Sequence, residues 1–430
     1  MPSLVIIGAQ WGDEGKGKIV DALADQADVV VRFQGGDNAG HTVFHDGQKF
    51  VFHILPSGIL RPRVMNLIGG GVVVNPQKLV EELAAIRLPE SAWRKRLRLS
   101  GEAHLILPCH LALDRAAEAQ RGSHKIGTTQ RGIGPAYADR AARTGVRIGD
   151  TLDPDYFRAQ LKTCLDSKRI LLPKDCAHEV CDAKRVAKEV LTLMRPFRDL
   201  IVDTGVLLDA ARRKGKHILY EGAQGTMLDI GAGTYPYVTS SHTIAGGVCI
   251  GTGIGPHAID RILGVSKAYA TRVGEGPFTT ELHDATGETL RRIGGEYGAT
   301  TQRPRRCGWL DIVQLRRAAR LNSLDGLILT KLDVLDGFEQ IGVCTAYRCG
   351  GKRCAEWPAS PMDLAAAEPI YTFVPGWKQP TTGAKSFQEL PAAARAYINK
   401  IEDWLDLPVV MISNGQDRKQ LITRKKKCRM

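Results

Sequence analysis

Short apolar runs recur along the chain, and most of them are followed by glycine-rich or polar segments. These runs predict strands at residues 4–7, 29–33, 64–68, 217–220, 263–266, 326–329, 341–347 and 409–412. Helical spacing of apolar residues between several of them predicts helices at residues 76–86, 311–321 and 392–404. Strands that alternate with helices are typical of an α/β fold with a large, mainly parallel central sheet flanked by helices.

Residues 153–213 break this alternation. Their apolar positions are separated by Lys, Arg and Asp at helical spacing, which predicts a mostly helical excursion. The chain shows no internal repeat and no low-complexity linker, so we expect one large domain over residues 1–430. Ligands of such sheets bind beyond the carboxyl ends of the strands, where the polar segments would lie.

The composition is that of a soluble globular protein, since 43% of the 430 residues are hydrophobic and 24% are charged. No apolar stretch approaches the ~20 residues of a membrane helix, and no basic leader precedes the first strand, so we expect a cytoplasmic protein without membrane contact. The ten cysteines include no CxxC pair. The spacing of Cys344, Cys349 and Cys354 does not match the usual zinc sites, and we expect reduced, separate thiols.

The net charge of +13 raises the question of a nucleic-acid partner. Much of the arginine, however, lies in segments rich in Gly and Thr, at residues 128–147 and 300–306, rather than along one helix face. Positive charge concentrated in loops suits small anions such as phosphates and carboxylates. We therefore expect no nucleic-acid partner, and we interpret residues 424–427 as a solvated basic end.

Residues 8–21, directly after the first strand, are the most informative segment. A strand, a glycine-rich loop and a helix start bring backbone N–H groups and a positive helix end to one spot, which predicts a phosphate cradle. The glycines and Lys18 fit a P-loop, but Ile19 stands where a Ser or Thr would bind Mg²⁺. Asp13 is then the candidate metal ligand, and together with Lys16 it suggests chemistry beside the phosphate. The alternative is a glycine-rich turn without a ligand.

A second glycine-rich loop, residues 34–42, follows the strand at 29–33 and contains Asn38 and His41. Its glycines allow the backbone to approach a ligand closely. An imidazole in such a loop can donate a hydrogen bond to a leaving phosphate oxygen, with a structural histidine as the alternative.

Segments after two later strands predict a purine pocket. Asp333 can accept hydrogen bonds from both N1–H and N2–H of guanine, a donor pair that adenine lacks, and so would select GTP over ATP. The stem of Lys331 can lie along the purine face, and residues 413–415 can form another wall. A strand-end turn is the alternative interpretation.

Further segments suit a second ligand. They lie at residues 127–135, 221–224, 235–241 and 298–306. Their amides and hydroxyls can bind a neutral base and a phosphate, and the three arginines of 298–306 suit carboxylates.

Together these segments resemble the adenylosuccinate synthetase family over nearly the full chain. The resemblance rests on residues 10–18, 38–42, 131–135, 221–225, 233–241, 267–269, 271–274, 305–309 and 330–337. It implies a P-loop-GTPase-like fold and an enzyme of purine biosynthesis that joins IMP and L-aspartate, using GTP and Mg²⁺.

The resemblance also implies a mechanism in two steps. Asp13 removes the N1 proton of IMP, the 6-oxygen attacks the γ-phosphate of GTP, and His41 assists the departure of GDP. The amine of aspartate then displaces phosphate from 6-phosphoryl-IMP. Phosphorylation turns a poor leaving group into a good one, and general base catalysis is typically worth about 10²–10⁴ in rate.

The resemblance further implies a set of site residues, carried over motif by motif, and the following assignments are expectations of this kind. The catalytic residues are Asp13, Lys16, His41 and Gln224. GTP binds to Gly12, Asp13, Glu14, Gly15, Lys16, Gly17, Lys18, Gly40, His41, Thr42, Arg305, Lys331, Leu332, Asp333, Ser413, Asn414 and Gly415. IMP binds to Asp13, Lys16, Asn38, Ala39, Gly40, His41, Thr129, Arg143, Gln224, Thr239 and Arg303. L-Aspartate binds to Ala299, Thr300, Thr301, Gln302, Arg303, Pro304 and Arg305, and Mg²⁺ to Asp13 and Gly40. Arg143 reaches in from a second subunit, which implies a homodimer.

Some positions depart from the family pattern. Gln130 and Gln302 stand where glycine is usual, and Gln416 and Thr279 where proline is usual. Asp37 stands where Asn or His is more familiar. One hypothesis is that Gln302 narrows the aspartate pocket, and it fails if Gln302→Gly leaves the aspartate KM and donor preference unchanged.

Two alternative functions stay open. One is a related C–N ligase that acts on another 6-oxopurine nucleotide or another amine donor. The other is a GTP-binding regulatory protein, a class that needs neither the acid at Asp13 nor a separate carboxylate site.

Overall fold

The computed structural model describes residues 3–45, 47–122, 125–298 and 303–424. The helices are α1 Lys16–Ala24, α2 Pro76–Ala85, α3 Glu90–Arg94, α4 Pro108–Gln120, α5 Ile133–Ala142, α6 Pro154–Arg169, α7 Lys174–Val180, α8 Ala183–Met194, α9 Thr204–Arg213, α10 Gly247–Thr252, α11 Ala285–Gly294, α12 Ile312–Asn322, α13 Pro361–Ala365 and α14 Ala392–Leu405. The strands are β1 Ser3–Gly8, β2 Val29–Arg32, β3 His41–His45, β4 Gln48–Phe52, β5 Met65–Ile68, β6 Val73–Val74, β7 Leu97–Ser100, β8 His104–Leu105, β9 Ile201–Val202, β10 Ile218–Glu221, β11 Arg261–Lys267, β12 Ala270–Arg272, β13 Arg306–Gly308, β14 Leu310–Asp311, β15 Gly326–Thr330, β16 Gln340–Cys349, β17 Lys352–Cys354, β18 Glu368–Pro375, β19 Val409–Ser413 and β20 Leu421–Thr423.

Ten of these strands belong to the central sheet, which is mostly parallel. The first of two compact units comprises Met1–Leu4, Leu23–Ala223 and Thr239–Asp260. It contains the strand order β10-β2-β5-β7-β9, and every neighbouring pair in this run is parallel. Glu221 of β10 lies beside Arg32 of β2, so these strands end together and their following loops leave the same edge.

The second unit comprises Val5–Ala22, Gln224–Val238 and Arg261–Met430. Most of β1 belongs to it, and β11, β15 and β19 follow in parallel, with β20 antiparallel at the end. Leu329 of β15 lies beside Ile412 of β19. The loops that follow these two strands therefore leave the same edge, where the sequence predicts a purine pocket.

The predicted helical excursion is confirmed in the first unit, where α6 to α9 occupy most of residues 153–213. The buried side chains recur at helical spacing, at Phe157, Leu161, Cys164 and Leu165 of α6 and at Val186, Ala187, Val190 and Met194 of α8. Both helices join one apolar core, whose burial stabilises the unit at about 25 cal/mol per Å² of apolar surface. Charged side chains of both signs occupy many of the exposed positions, which explains how a segment rich in charge folds into a helical layer.

The predicted α/β class and its large, mainly parallel sheet are confirmed, and the predicted strands and helices fall within a few residues of their observed bounds. Capping explains two of the helix starts. Asn75 accepts from the backbone of Lys78 before Pro76 opens α2, and Asp311 accepts from Gln314 at the start of α12.

The strand predicted at 341–347 also forms, as β16, but in a separate four-stranded sheet. It pairs antiparallel with β18 over most of its length, which a local apolar run does not reveal. The described helices do not include one with the length and apolar character of a bilayer-crossing segment.

Candidate active site

The loop between β1 and α1, in the second unit, has the backbone of a close-fitting turn. Gly12, Asp13 and Gly15 all have positive φ, of 88°, 59° and 88°. Gly8 at the end of β1 leaves no space for a side chain, because a Cβ there would lie 2.5 Å from the Gln224 carbonyl oxygen and from Glu14 Oε2. The glycines seen in the sequence are therefore explained by a tight loop, as expected for a phosphate cradle.

The carboxylate of Glu14 is buried against this loop. The backbone N–H groups of Gln10 and Gly12 donate to its Oε1 at 3.1 and 2.8 Å. Lys16 Nζ donates to its Oε2 at 2.5 Å, and both side chains of this ion pair are buried. The carboxylate of Glu14 therefore accepts hydrogen bonds from two backbone amides of the loop and from Lys16. A phosphate that binds Lys16 has to compete with this carboxylate.

Asp13 is more exposed than Glu14 and has a different partner. Its side chain is 40% exposed, and Arg305 Nε lies 2.8 Å from its Oδ2. Arg305 also donates from Nη1 to Glu296 Oε2 at 2.6 Å. The structure thus brings together Asp13 and Arg305, which the sequence places in two predicted ligand loops.

The predicted purine pocket contains buried acceptors without partners. Asp333 Oδ1 and Asn414 Oδ1 accept no hydrogen bond from any described residue. The Nδ2 of Asn414, in contrast, donates to the carbonyl oxygens of Thr381 and Ala384 at 2.7 and 3.0 Å. Burial raises the pKa of Asp333. Buried acceptors of this kind normally have donors, so their geometry suits a ligand that presents N–H groups.

Lys18 belongs to this pocket rather than to the Glu14 cluster. Its Nζ donates to Ser413 Oγ, the Gly415 carbonyl oxygen and the Gln420 carbonyl oxygen at 2.7, 2.7 and 2.9 Å. Burial lowers the pKa of Lys18 to about 8, although the charge of Asp333 opposes the shift. The two lysines of the glycine-rich loop therefore have separate surroundings, a distinction that the sequence motif does not contain.

Gln224 has a strained backbone and a side-chain amide whose hydrogen-bonding groups are left unsatisfied by the described residues. It adopts a positive φ of 56°, and both polar atoms of its amide are buried without a partner among the described residues. A buried amide can bind one donor and one acceptor of a neutral ring, which is consistent with the predicted contact to a base.

In the first unit, His41 pairs with Glu221. His41 Nδ1 is hydrogen-bonded to Glu221 Oε1, and Ser57 donates to the same carboxylate from its backbone N–H and its hydroxyl, at 2.8 and 2.5 Å. Burial alone would raise the pKa of Glu221, but the charges of His41 and Arg32 outweigh it and the pKa lies below its ordinary value. An ionised Glu221 holds the imidazole of His41 in one orientation.

Glu221, which contacts His41, is a site side chain that the sequence analysis did not single out. The motif 221–224 draws attention to Gln224, whereas Glu221 itself reads as the buried end of β10. A charged residue at the end of an otherwise apolar strand was the available signal.

The predicted IMP residues of the first unit are partly brought together. Asn38 accepts from the Gly36 N–H at 3.2 Å and donates to Thr239 Oγ1 at 3.3 Å. Thr129 is exposed. Arg143 is also exposed, at the C-terminal cap of α5, with a positive φ of 63°. An exposed arginine held in this way is available to a ligand or a partner chain.

The positions that depart from the family pattern have different surroundings. Gln130 and Gln416 are exposed, and Gln130 adopts a positive φ of 55°, which explains why glycine suits that position. Asp37 is buried, its Oδ1 accepts from no described residue, and burial raises its pKa. Gln302 lies outside the described residues.

Only the second half of the predicted aspartate loop can be located. Ala299, Thr300, Thr301 and Gln302 lie outside the described residues, whereas Arg303 and Pro304 are exposed. Gly298 N–H donates to the Arg303 carbonyl oxygen at 2.9 Å, which closes the base of this loop.

In the described part of the chain, one group of His, Cys and carboxylate side chains has the closeness of a metal site. Its members are His110, Asp139 and Cys164. His110 Nδ1 accepts from the Leu107 N–H at 3.0 Å, so the proton of the neutral ring is on Nε2, which donates to Asp139 at 2.9 Å. Cys164 and Lys168 donate to the same carboxylate. These donors satisfy Asp139 without a metal, and the cluster ties α4, α5 and α6 together.

A parallel sheet with a glycine-rich loop after one of its strands, and with an acid and a lysine in that loop, is typical of a nucleotide-binding α/β enzyme. The family model described as adenylosuccinate synthetase matches residues 5–422. The chain belongs to this family and is therefore a GTP-dependent ligase of purine biosynthesis.

Curated relatives agree with this assignment over nearly their full length. The adenylosuccinate synthetase of Halothermothrix orenii is 52% identical over 429 residues, covering 99% of both chains. That of Heliobacterium modesticaldum is 50% identical over 422 residues, covering 98% of this chain and 99% of the other.

Solved structures support the fold. The fully ligated adenylosuccinate synthetase of Plasmodium falciparum is 39% identical and superposes with a TM-score of 0.93, covering 99% of this chain and 100% of the other. The cyanophage S-2L succinoaminodeoxyadenylate synthetase bound to dGMP and dATP is 21% identical with a TM-score of 0.60, covering 99% and 96%, and shares the fold alone.

Proposed function

We propose that this chain joins IMP and L-aspartate, with GTP as the phosphoryl donor, to form adenylosuccinate, GDP and phosphate through 6-phosphoryl-IMP. The observation that carries the proposal is the half-exposed acid Asp13 in a phosphate loop, paired with Arg305 of the predicted aspartate loop. A loop that only bound phosphate would need neither group.

In the first step Asp13 accepts the N1 proton of IMP, and the negative charge moves to the 6-oxygen. That oxygen attacks the γ-phosphorus of GTP, and the bond to the β,γ-bridging oxygen breaks. His41, oriented by Glu221, donates a hydrogen bond to the departing GDP, and Lys16 exchanges Glu14 for the transferring phosphoryl group.

In the second step the amine of L-aspartate attacks C6 and phosphate leaves. The carboxylates of the amino acid suit the guanidinium groups of Arg303 and Arg305, which can form paired hydrogen bonds. Gln224 binds the purine ring through the two amide atoms that lack protein partners.

Asp333 supports GTP as the donor. Its unpartnered Oδ1 lies with Asn414 Oδ1 in the predicted base pocket, and guanine supplies the N1–H and N2–H donors that such acceptors need. Adenine would leave the acid buried without a donor.

Mg²⁺ belongs to this proposal as well. The exposed carboxylate of Asp13 and the carbonyl oxygen of Gly40 are oxygen ligands of the kind that Mg²⁺ prefers. When bound, the metal neutralises charge on the phosphates of GTP.

Turnover by the purified protein tests the function directly. With GTP, Mg²⁺, IMP and L-aspartate, we expect adenylosuccinate absorbance to rise in step with GDP, and we expect no product with ATP in place of GTP. GTP hydrolysis without IMP consumption, or turnover only with another nucleotide or amine donor, would overturn the proposal.

The active form is proposed to be a homodimer in which Arg143 binds IMP in the neighbouring subunit. The exposed position of Arg143 at the end of α5 supports this. Two variants that are each inactive, Arg143→Leu and Asp13→Asn, should regain about a quarter of the activity when mixed, because hybrid dimers contain one intact site. No recovery in mixtures that form hybrid dimers would contradict the shared site.

A cytoplasmic location completes the proposal. Its support is the substrate set, since phosphorylated nucleotides are charged and do not cross membranes unaided. Fractionation of cells with an antibody to the chain tests this location.

A further inference from the structure

The predicted aspartate loop rises from a narrow hairpin in the second unit. Arg305 N–H donates to the Glu296 carbonyl oxygen at 2.9 Å, and Tyr297 and Pro304 form an antiparallel bridge. Gly298 N–H donates to the Arg303 carbonyl oxygen at 2.9 Å. These contacts close the base of the loop, so whatever holds Glu296 and Arg305 also sets where the loop begins.

The carboxylate of Glu296 is the centre of a buried network. Lys267 Nζ donates to both of its oxygens at 2.8 Å, and the Tyr269 hydroxyl donates to Oε1. Lys267 also donates to Thr271 Oγ1 at 2.7 Å. A side chain at Gly294 would place its Cβ 2.4 Å from the Tyr269 hydroxyl. Glu296 is thus held from several sides.

Glu296 is ionised inside this network. Burial would raise its pKa, but the nearby charges of Lys267, Lys331 and Arg305 outweigh burial and lower the pKa to about 2. A fixed negative charge therefore lies behind Arg305 at neutral pH.

Arg305 connects this buried charge to Asp13. Its Nη1 donates to Glu296 Oε2 at 2.6 Å, and its Nε lies 2.8 Å from Asp13 Oδ2. Lys267 and Arg305 balance Glu296 and Asp13, so the four groups are neutral as a set.

We propose that Glu296 is a positioning residue that orients Arg305 between the catalytic acid Asp13 and the carboxylates of L-aspartate. This rests on the proposed function and adds a residue to it. Without Glu296 the guanidinium keeps its ion pair with the carboxylate of Asp13, which is 40% exposed and fixes the orientation of Arg305 less firmly. The loss is expected in the binding of the amino acid rather than of IMP.

The first test is Glu296→Gln in the full-length protein. We expect the KM for L-aspartate to rise about tenfold or more, because the neutral amide holds the guanidinium of Arg305 less strongly than the carboxylate does, while the KM for IMP stays within about twofold. The melting temperature should fall, because Lys267 is left buried without its anion.

A charge-balanced variant separates positioning from folding. Glu296→Gln combined with Lys267→Met removes both charges of the buried pair, so the melting temperature should recover while the aspartate KM stays raised. If both return to wild-type values, Glu296 has only a structural role and the proposal is wrong.

A milder pair of variants keeps the test open if the Glu296 variants do not fold. Tyr269→Phe removes only a donor to Glu296, and Tyr397→Phe is the matched control, since its buried hydroxyl donates to the Ala268 carbonyl oxygen at 2.6 Å. We expect about a threefold rise in aspartate KM for Tyr269→Phe alone. Equal kinetics in the two variants contradict the proposal.

Calorimetric titration of L-aspartate distinguishes this inference from the proposed function. If the wild-type protein binds L-aspartate in this titration but consumes no IMP in the turnover assay, the proposed function is contradicted. Weaker binding of L-aspartate by Glu296→Gln would still support the positioning role. Wild-type protein that makes adenylosuccinate, with unchanged titration of Glu296→Gln, would overturn only the positioning role.

Discussion

The predicted phosphate loop and the predicted base pocket, formed by Asp333 and the wall at residues 413–415, both belong to the second unit but differ in how their polar groups are satisfied. In the phosphate loop the charges are paired within the protein, Asp13 with Arg305 and Lys16 with Glu14. Each of these pairs has to be exchanged or shared when substrates bind.

In the base pocket two buried acceptor atoms have no hydrogen-bond donor within the described part of the protein. Asp333 Oδ1 and Asn414 Oδ1 are buried without a partner in the described residues, while Lys18 holds the wall at Ser413 and Gly415. This difference in hydrogen bonding suggests that the phosphate loop serves catalysis and the base pocket serves recognition of the nucleotide. Changes in the phosphate loop should lower kcat, and changes in the base pocket should raise the KM for GTP.

The largest effect is expected for Asp13→Asn. The amide keeps the size of the side chain but cannot accept the N1 proton, so kcat should fall by about 10²–10⁴. The KM for GTP should change far less. Steady-state kinetics with saturating IMP and L-aspartate measure both constants.

A melting curve is the control, because the partly exposed ion pair with Arg305 contributes little to stability. A kcat within about tenfold of wild type would mean that Asp13 supplies an ion pair rather than a base. The contrast between the two regions would then disappear.

The next effect is expected for Asp333→Asn. The new amide accepts from N1–H but presents its own N–H to the 2-amino group of guanine, so kcat/KM for GTP should fall by about 10²-fold. Xanthine carries an oxygen at that position, and XTP should be used better by the variant than by the wild type. Measurements of kcat/KM for GTP and for XTP, in the wild type and in the variant, show whether the nucleotide preference has changed.

An unchanged KM for IMP in this variant shows that the damage is confined to the base pocket. Equal losses with GTP and XTP would mean that Asp333 supports the loop rather than the base.

The sequence predicts those parts of the fold that depend on local pattern. Apolar runs and the cap at Asn75 locate β1 and α2 to within a few residues. Pairing partners are not local, so the sequence could not show that β16 leaves the central sheet or that the short strand β7 belongs to it.

The candidate site follows the same division. Asp13 and His41 can be recognised in the sequence because each lies in a glycine-rich segment after an apolar strand, where side chains do not serve to pack the core. Glu221 does not, because its role depends on β10 ending beside the loop that contains His41. The separate partners of Lys16 and Lys18 likewise require coordinates, since both lie in one motif.

A moderate effect is expected for Lys18→Met. Three hydrogen bonds to the pocket wall are lost, and the KM for GTP should rise about tenfold while kcat stays near the wild-type value. A fall in kcat at unchanged KM would instead assign Lys18 to the phosphates.

The pH dependence sharpens this result. Burial lowers the pKa of Lys18 to about 8, and the ammonium is the form that donates three hydrogen bonds. The affinity for GTP should therefore be highest below about pH 8, where Lys18 is protonated, and should fall as the pH rises above this value. Lys18→Met should lack this dependence, and a parallel dependence in wild type and variant would exclude Lys18 as its source.

The smallest effect is expected for Gln416→Ala. Gln416 follows the Gly415 wall directly, but it is exposed and stands where the family usually has proline. If the pocket recognises guanine through its buried acceptors, removing an exposed amide should change the KM for GTP by less than about twofold. Ser413→Ala is the matched comparison, because it removes an acceptor of Lys18 inside the wall and should raise the KM more. A larger rise for Gln416→Ala than for Ser413→Ala would mean that recognition extends to the rim, and the boundary between buried acceptors and exposed surface would have to be redrawn.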